Sequence, residues 1–448
     1  MTRKYFGTDG IRGRVGQAPL TPEFMLKLGN AVGRILAKNH KAPGRPGVVI
    51  GKDTRISGDM LESALQAGLL AAGVDVSLAG VIPTPAVAWL TCSLGLDAGI
   101  VVSASHNPYY DNGIKFFSAA GQKFPDTVEI AIETAMDEPL ACTPPEHFGQ
   151  AHRVVDASRR YIEFCKNSYP ADLDLQGLRI VLDCAHGAGS SVGPKVLREL
   201  GADVVVIGAA PNGCNINLEV GATHTGALEK AVVLHQADLG IALDGDADRL
   251  IMVGASGQAF DGDQLLYVLA LDRHQQSPVA GVVGTLMSNL ALEKALEQHG
   301  IGFVRAKVGD RYVMEELART GWELGGESSG HLIALDKQST GDGLVAALAV
   351  LAAVRRSGQS LDALAGQLVM YPQKLINVPI LKGFDWVASE VITAASARAR
   401  AMLGDTGRLL IRASGTEPLL RVMVEGQNDV RVQEAAHLVA AAVCLAVA

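Results

Sequence analysis

The 448-residue sequence has no C-x-x-C pair. Its six cysteines (Cys92, Cys142, Cys165, Cys184, Cys214, Cys444) stand singly and far apart. That supports neither a zinc site nor a disulfide framework, so reduced thiols are expected. There is no surplus of positive charge either: 39 Lys and Arg face 47 Asp and Glu, a formal net charge of −8. No global basic field draws in nucleic acid or an anionic membrane, and neither is expected as a partner. An anionic ligand therefore needs a local cationic cluster. The opening "MTRKYFGTDGIRG" lacks the apolar core of a signal peptide. At the other end, "LVAAAVCLAVA" is apolar for about 11 residues, against the roughly 20 that span a bilayer. It reads as the inner face of a last helix, and a cytoplasmic location is expected. Low-complexity segments are absent.

Familiar short motifs fail as well. "HGAGSSVG" is one residue too long for G-x-G-x-x-G. "GRPGVVIGKD" needs Gly in place of Pro46 and Ser or Thr in place of Asp53 to be a phosphate loop. "GGESSGH" contains G-x-S-x-G, but a strand-like "HLIALD" follows where a nucleophile elbow requires a helix. His40, His147, His274 and His299 lie in polar segments and are expected at the surface.

What is present is an α/β chain. Aromatics are only 5% and hydrophobics 48%, with 50 glycines, which suits Ala/Val/Leu/Ile cores joined by tight turns. The length suggests two to four domains at roughly 100–200 residues each. Apolar β-branched runs end in Gly/Ser/Asp loops at "AGIVVSASHNP", "GLRIVLDCAHGAGS", "ADLGIALDGDADR" and "GVVGTLMSN". Such runs, alternating with Ala/Leu-rich helices, indicate buried parallel strands. Ligands gather at the carboxyl ends of strands in such sheets. Composition breaks near 136–150, 253–263 and 369–379, and the part after the third break reads as α+β.

Four loops carry chemistry. In "LDGDADR", Asp244, Asp246 and Asp248 alternate after a strand, which points three carboxylates the same way; Gly245 is read as the residue that lets the backbone turn. Unit charges about 4 Å apart repel by about 4 kcal/mol at an effective dielectric of 20. Three such pairs call for a cation, and an all-oxygen set favours Mg²⁺. The spacing is not an EF-hand, because Arg249 and Ala255 stand where Gly and Glu are needed. In "SASHNP", Ser105 before His106 is a candidate nucleophile or phosphate carrier, with Lys115 close behind as a phosphate partner. "RASGTEPLLR" offers Arg412, Ser414, Gly415, Thr416 and Arg421, the inventory of a phosphate cradle. Glu327, Ser329 and His331 of "GGESSGH" suit sugar hydroxyls. Arg12 of "FGTDGIRG" is one more anion contact.

In that order along the whole chain, "FGTDGIRG", "SASHNP", "DGDADR", "GESSGH" and "RASGTEPLLR" resemble the α-D-phosphohexomutase superfamily. "YFGTDGIRG", "NGIKFF" and "KVGDRYV" are closer to its amino-sugar branch than to those for mannose or glucose phosphates. One departure is His186 in "AHGAGS", where Asn is expected. The resemblance implies four domains around a central cleft, three related α/β units with mixed or parallel sheets and a smaller C-terminal α+β domain, divided here as 1–153, 154–254, 255–369 and 370–448. It implies that Ser105 carries a phosphoryl group, that Asp244, Asp246 and Asp248 hold one Mg²⁺ with a phosphoserine oxygen, and that Arg249 flanks the transferring group. Glu327, Ser329 and His331 would bind the sugar, and Arg412, Ser414, Gly415, Thr416 and Arg421 the phosphate that is not reacting. His106, Lys115 and His331 remain alternatives for the general base. The expected reaction is glucosamine 6-phosphate to glucosamine 1-phosphate through a bisphosphate that turns over in the cleft, supplying amino-sugar precursors of the cell envelope. A mannose- or glucose-phosphate mutase, a phosphatase and a non-catalytic sugar-phosphate binder are the alternatives. A homodimer is left open.

Overall fold

In the computed structural model, residues 3–381, 384–413 and 418–447 are described. They divide into a larger unit, 1–287 with 302–366, and a smaller one, 288–301 with 367–448. The smaller unit thus groups the helix Leu290–Gln298 with the C-terminal residues.

The larger unit contains three sheets built to one plan. In the first, the strands run in the order Ile11–Arg14, Asp111–Ser118, Ala98–Val102, Gly47–Lys52, Asp75–Val81, Ala151–Arg153. The last four are parallel, and Asp111–Ser118 lies antiparallel on Ala98–Val102. The second places Leu239–Leu243 parallel to Arg179–Asp183 and then adds Leu250–Gly254 antiparallel. The third places Leu324–Gly326 parallel to Gly281–Thr285 and adds Leu332–Ala334 antiparallel. The second sheet also takes in Ala259–Phe260.

The central strands are apolar throughout because both faces are covered. Every residue of Ala98–Val102, Leu239–Leu243 and Gly281–Thr285 is buried. Several helices start at side-chain caps. Thr21 accepts the amide of Phe24 ahead of Pro22, and Asp261 and Gln264 form a capping box.

The repeated plan has a functional consequence. In each sheet the chain leaves a parallel strand, forms one loop and returns as the antiparallel neighbour. The three loops are 103–110, 244–249 and 327–331, which hold Ser105, the aspartates, and Glu327 to His331. Three candidate loops, far apart in sequence, are one topological position used three times.

In the smaller unit, Gln373–Pro379, Leu419–Gly426 and Gly407–Ala413 form an antiparallel sheet. Helices Glu390–Leu403 and Asp429–Val447 bury Ile392, Leu403, Val432, Val439 and Val443 in one core with Val422 and Val424. The last helix is longer than its apolar run. By length and composition alone it passes for a membrane span, with a mean hydropathy of 1.5. Its buried face of Val432, Ala435, Ala436 and Val439 makes it a core helix here. His40, expected at the surface, is instead half-buried with Nδ1 2.8 Å from Asp97 Oδ1.

Candidate active site

Ser105 follows the strand Ala98–Val102 with φ +52°. A left-handed conformation costs an L-residue about 1–2 kcal/mol, so its surroundings must impose it. Ser105 Oγ, turned out of the strand, donates to Asp244 Oδ2 at 2.6 Å. His106 Nδ1 lies 3.3 Å from the same oxygen.

The aspartate loop folds around its own amides. Asp244 Oδ1 accepts from the N–H groups of Asp248 and Arg249, each at 3.1 Å. One oxygen from each of Asp244, Asp246 and Asp248 lies within 4.8 Å of the others, and all three residues are buried. The role expected of Gly245 is corrected. The left-handed residue of this turn is Ala247, φ +58°. Gly245 is needed for close approach, because a Cβ there would sit 2.7 Å from Ser105 O and from Asn217 Nδ2.

Cations partly offset the cluster. Lys115 Nζ donates to Asp246 Oδ2 at 2.9 Å and to Asp248 Oδ2 at 3.0 Å, while Thr84 Oγ1 donates to Asp246 Oδ2 at 2.5 Å. Even so, the Oδ1 atoms of Asp246 and Asp248 are buried and accept no hydrogen bond. Burial, then the charges of Asp248 and Asp246, push the Asp244 carboxyl well above its usual range. Burial acts the same way on Asp248 but is outweighed by Lys115 and His331, which hold it well below. Orphaned carboxylate oxygens and an oxygen-only donor set fit a hard divalent cation such as Mg²⁺.

A cavity of about 520 Å³ opens beside Ser105, with Arg12, Arg249, Glu327, Ser329 and His331 on its walls. It falls in the usual range for small-molecule sites. Another cavity, of about 410 Å³ around Trp322 and Arg273, is smaller and holds none of these groups. Arg12 pairs with Asp9 and reaches Asn107 Oδ1 at 3.5 Å. The charge of Arg249 is reinforced by Asp244, Asp248 and Glu327 against the opposing effect of burial. Glu327 Oε1 accepts the amide of Gly309 at 3.0 Å. Gly330, φ +91°, brings this loop onto the strand after the aspartates: a Cβ would lie 2.2 Å from Leu250 O, and its own carbonyl accepts the Leu250 amide at 2.9 Å.

The two histidines are tuned oppositely. Burial, then the charges of Arg249 and Arg12, lower His106 to about 4. For His331 burial also acts downward, but Asp248, Asp310 and Glu327 prevail and raise it to about 9. His331 Nδ1 stands 3.8 Å from Asp248 Oδ1, and Nε2 3.6 Å from Asp310 Oδ2.

Several groups here went unread in the sequence. Asp9 lies 3.4 Å from Lys115 Nζ, and Lys123 bridges Asp9 to Asp310, the latter at 2.6 Å. Asp9 and Asp310 stand inside "FGTDGIRG" and "KVGDRYV", where their position beside other motif residues was the available signal. Lys123 and Thr84 carried none. His186 adopts φ +49° and its Nδ1 accepts the Ala210 amide at 3.1 Å. His, like Asn, is enriched in the left-handed region, so this departure keeps the loop's geometry.

In the smaller unit, Arg412 and Arg421 face each other across neighbouring strands. Burial, then Arg421's charge, lowers Arg412. Ser414, Gly415 and Thr416 lie outside the described residues.

A hydroxyl held against a buried carboxylate cluster, in a cavity walled by arginines, has the parts that metal-assisted phosphoryl transfer uses. Models of the phosphoglucomutase/phosphomannomutase alpha/beta/alpha domains I, II and III match residues 3–141, 159–257 and 261–371, and the model of the C-terminal domain matches 375–442. A protein of Dechloromonas aromatica (strain RCB) named phosphoglucosamine mutase is 62% identical over 99% of both chains. The chain belongs to the phosphoglucomutase/phosphomannomutase family and is an isomerase of the phosphohexomutase type. A family member from Burkholderia thailandensis has the same fold, with TM-score 0.83 at 24% identity over 99% of this chain and 98% of that one. So does an N-acetylphosphoglucosamine mutase of Aspergillus fumigatus, solved with GlcNAc-6P and magnesium (TM-score 0.69, 18% identity, covering 100% of this chain and 96% of that one).

Proposed function

We propose that the chain interconverts glucosamine 6-phosphate and glucosamine 1-phosphate, with Ser105 as phosphoryl carrier and a glucosamine 1,6-bisphosphate as intermediate. The observation that carries this reading is Ser105 Oγ at 2.6 Å from Asp244, in a chain 62% identical to a phosphoglucosamine mutase. The sugar's free hydroxyl attacks phosphorus, the P–Oγ bond of phospho-Ser105 breaks, and the hydroxyl proton ends on Ser105 Oγ. The bisphosphate turns over, and its other phosphate returns to Ser105 in the reverse step.

One Mg²⁺, held by Asp244, Asp246, Asp248 and a phosphoserine oxygen, supplies charge neutralisation and in-line alignment when bound. Arg249, Arg12 and Lys115 contribute fixed positive charge. Glu327, Ser329 and His331 bind the sugar. Of the three candidates only His106 is unprotonated at ordinary pH, and with Nδ1 3.3 Å from Ser105 Oγ it is assigned the relay of that hydroxyl's proton; Lys115 and His331 are held as cations. Arg412, Ser414, Gly415, Thr416 and Arg421 we assign to the non-reacting phosphate. The division 1–153, 154–254, 255–369 and 370–448, a cytoplasmic location and an amino-sugar pathway belong to the same reading, which leaves a homodimer open.

The test is intact mass with peptide mapping, alongside initial rates on glucosamine, mannose and glucose 6-phosphates. We expect phosphate on residue 105, preference for the amino sugar, and loss of turnover in a folded Ser105→Ala variant. Near-normal turnover in that variant would refute the mechanism, and preference for mannose or glucose phosphate would overturn the substrate.

A further inference from the structure

The segment 53–55, at the end of the stretch that fails as a phosphate loop, has no part in the reaction just described, yet it is wired into the Ser105 loop. Arg55 is buried, and all five of its N–H donors are used. Nε donates to Asp53 Oδ2 at 2.8 Å. Nη1 donates to Pro108 O and, at 3.0 Å, to Asp111 O. Nη2 donates to Ser105 O at 2.9 Å and Asn107 O at 2.8 Å. Three donors thus end on carbonyls of the Ser105 loop and a fourth on the first residue of the strand that follows it. On the amide side, Ser103 Oγ donates to Asp53 Oδ2 at 2.6 Å and accepts the Ser105 N–H at 2.9 Å. Asn217 Nδ2 donates to Ser105 O at 2.9 Å and to Asn107 O at 3.2 Å. Both main-chain polar groups of Ser105 are therefore fixed by buried side chains.

We propose that Asp53, Arg55 and Asn217 are positioning residues that hold Ser105 in its left-handed conformation and keep Oγ aimed at the aspartate cluster through both phosphoryl transfers. This inference rests on the reading of Ser105 as phosphoryl carrier. Freed from the cradle, Ser105 relaxes toward an ordinary backbone conformation and Oγ swings off line. A displacement of about 1 Å from a productive geometry can lower a rate by about a hundredfold. Lysine cannot replace Arg55, because its three donors lack the planar fork that spans successive carbonyls.

The experiment compares Arg55→Lys, Asn217→Ala and the double variant as full-length protein with magnesium. It follows kcat, KM and the rate at which labelled hexosamine bisphosphate phosphorylates Ser105. Each single variant should lower kcat and the labelling rate together by about ten- to a hundredfold, with KM within about threefold. The double variant should lose less than the product of the singles, because both side chains act on the same carbonyls. Folded variants that label at the wild-type rate, or that change only KM, would overturn the proposal; so would losses that match the fall in folded protein. If Arg55→Lys does not fold, Asn217→Ala decides, since it removes no buried charge. Wild-type protein that never takes label on residue 105 defeats the carrier reading and this inference with it. Normal wild-type labelling with unaffected variants defeats this inference alone.

Discussion

Lys115 Nζ stands 2.9 Å from Asp246 Oδ2, so a buried ammonium sits against the carboxylates that compose the candidate metal site. Burial works against its charge, but Asp246, Asp248 and Asp9 hold its pKa well above the ordinary value. Lys115 is a fixed cation that balances the cluster and at the same time opposes a second cation entering it.

From that balance follows a prediction on metal affinity. A positive charge within about 5 Å of a divalent ion repels it by several kcal/mol at an effective dielectric of 20. Lys115→Met should bind Mg²⁺ at least about tenfold more tightly in calorimetry at pH 8, while turnover falls by about a hundredfold or more. Equal or weaker Mg²⁺ binding would contradict the electrostatic role.

The two site histidines predict a pH response with defined signs. His106, lowered to about 4, sheds its proton on folding, so its contribution to stability is lost as pH falls from 6.5 toward 4. His331, raised to about 9, holds a proton the unfolded chain releases. Its contribution is complete below 6.5, declines as pH rises and is gone above about 9. In chelator-treated protein, the melting advantage of wild type over His331→Gln should shrink between pH 6.5 and 9. An advantage that stays constant to pH 10 would show that His331 is not held as a cation.

Asp342 gives a stability prediction away from the site. It caps the helix Gly343–Ser357 through the amides of Leu344 and Val345, each at 3.0 Å, and accepts the Tyr161 hydroxyl at 2.9 Å. Burial nevertheless raises it to about 6. A carboxyl raised on folding retains its proton in the folded state, so stability falls as pH climbs from about 4 to about 6. The full effect is about 3 kcal/mol at 1.36 kcal/mol per pH unit. Asp342→Asn keeps a capping oxygen and should flatten that slope in denaturant titrations at pH 4, 5, 6 and 7. Parallel wild-type and variant curves would reject it.

The sequence by itself determined the parts that are local. Fully apolar strands such as Ala98–Val102, the loops at their ends, Ser105, and the alternating Asp244, Asp246 and Asp248 all follow from patterns a few residues long, because side-chain direction and turn chemistry act over that range. Tertiary structure alone decided what meets what. Arg55 acts on a loop some 50 residues away, Thr84 reaches Asp246 across 162 positions, and Lys123 reaches Asp310 across 187. Nothing near these residues marks them, because each is a polar group whose partner exists only after the sheets pack. The same holds for Gly245, whose missing side chain matters only once Ser105 and Asn217 arrive beside it, and for the oppositely tuned histidines, whose charges are set by neighbours from distant loops.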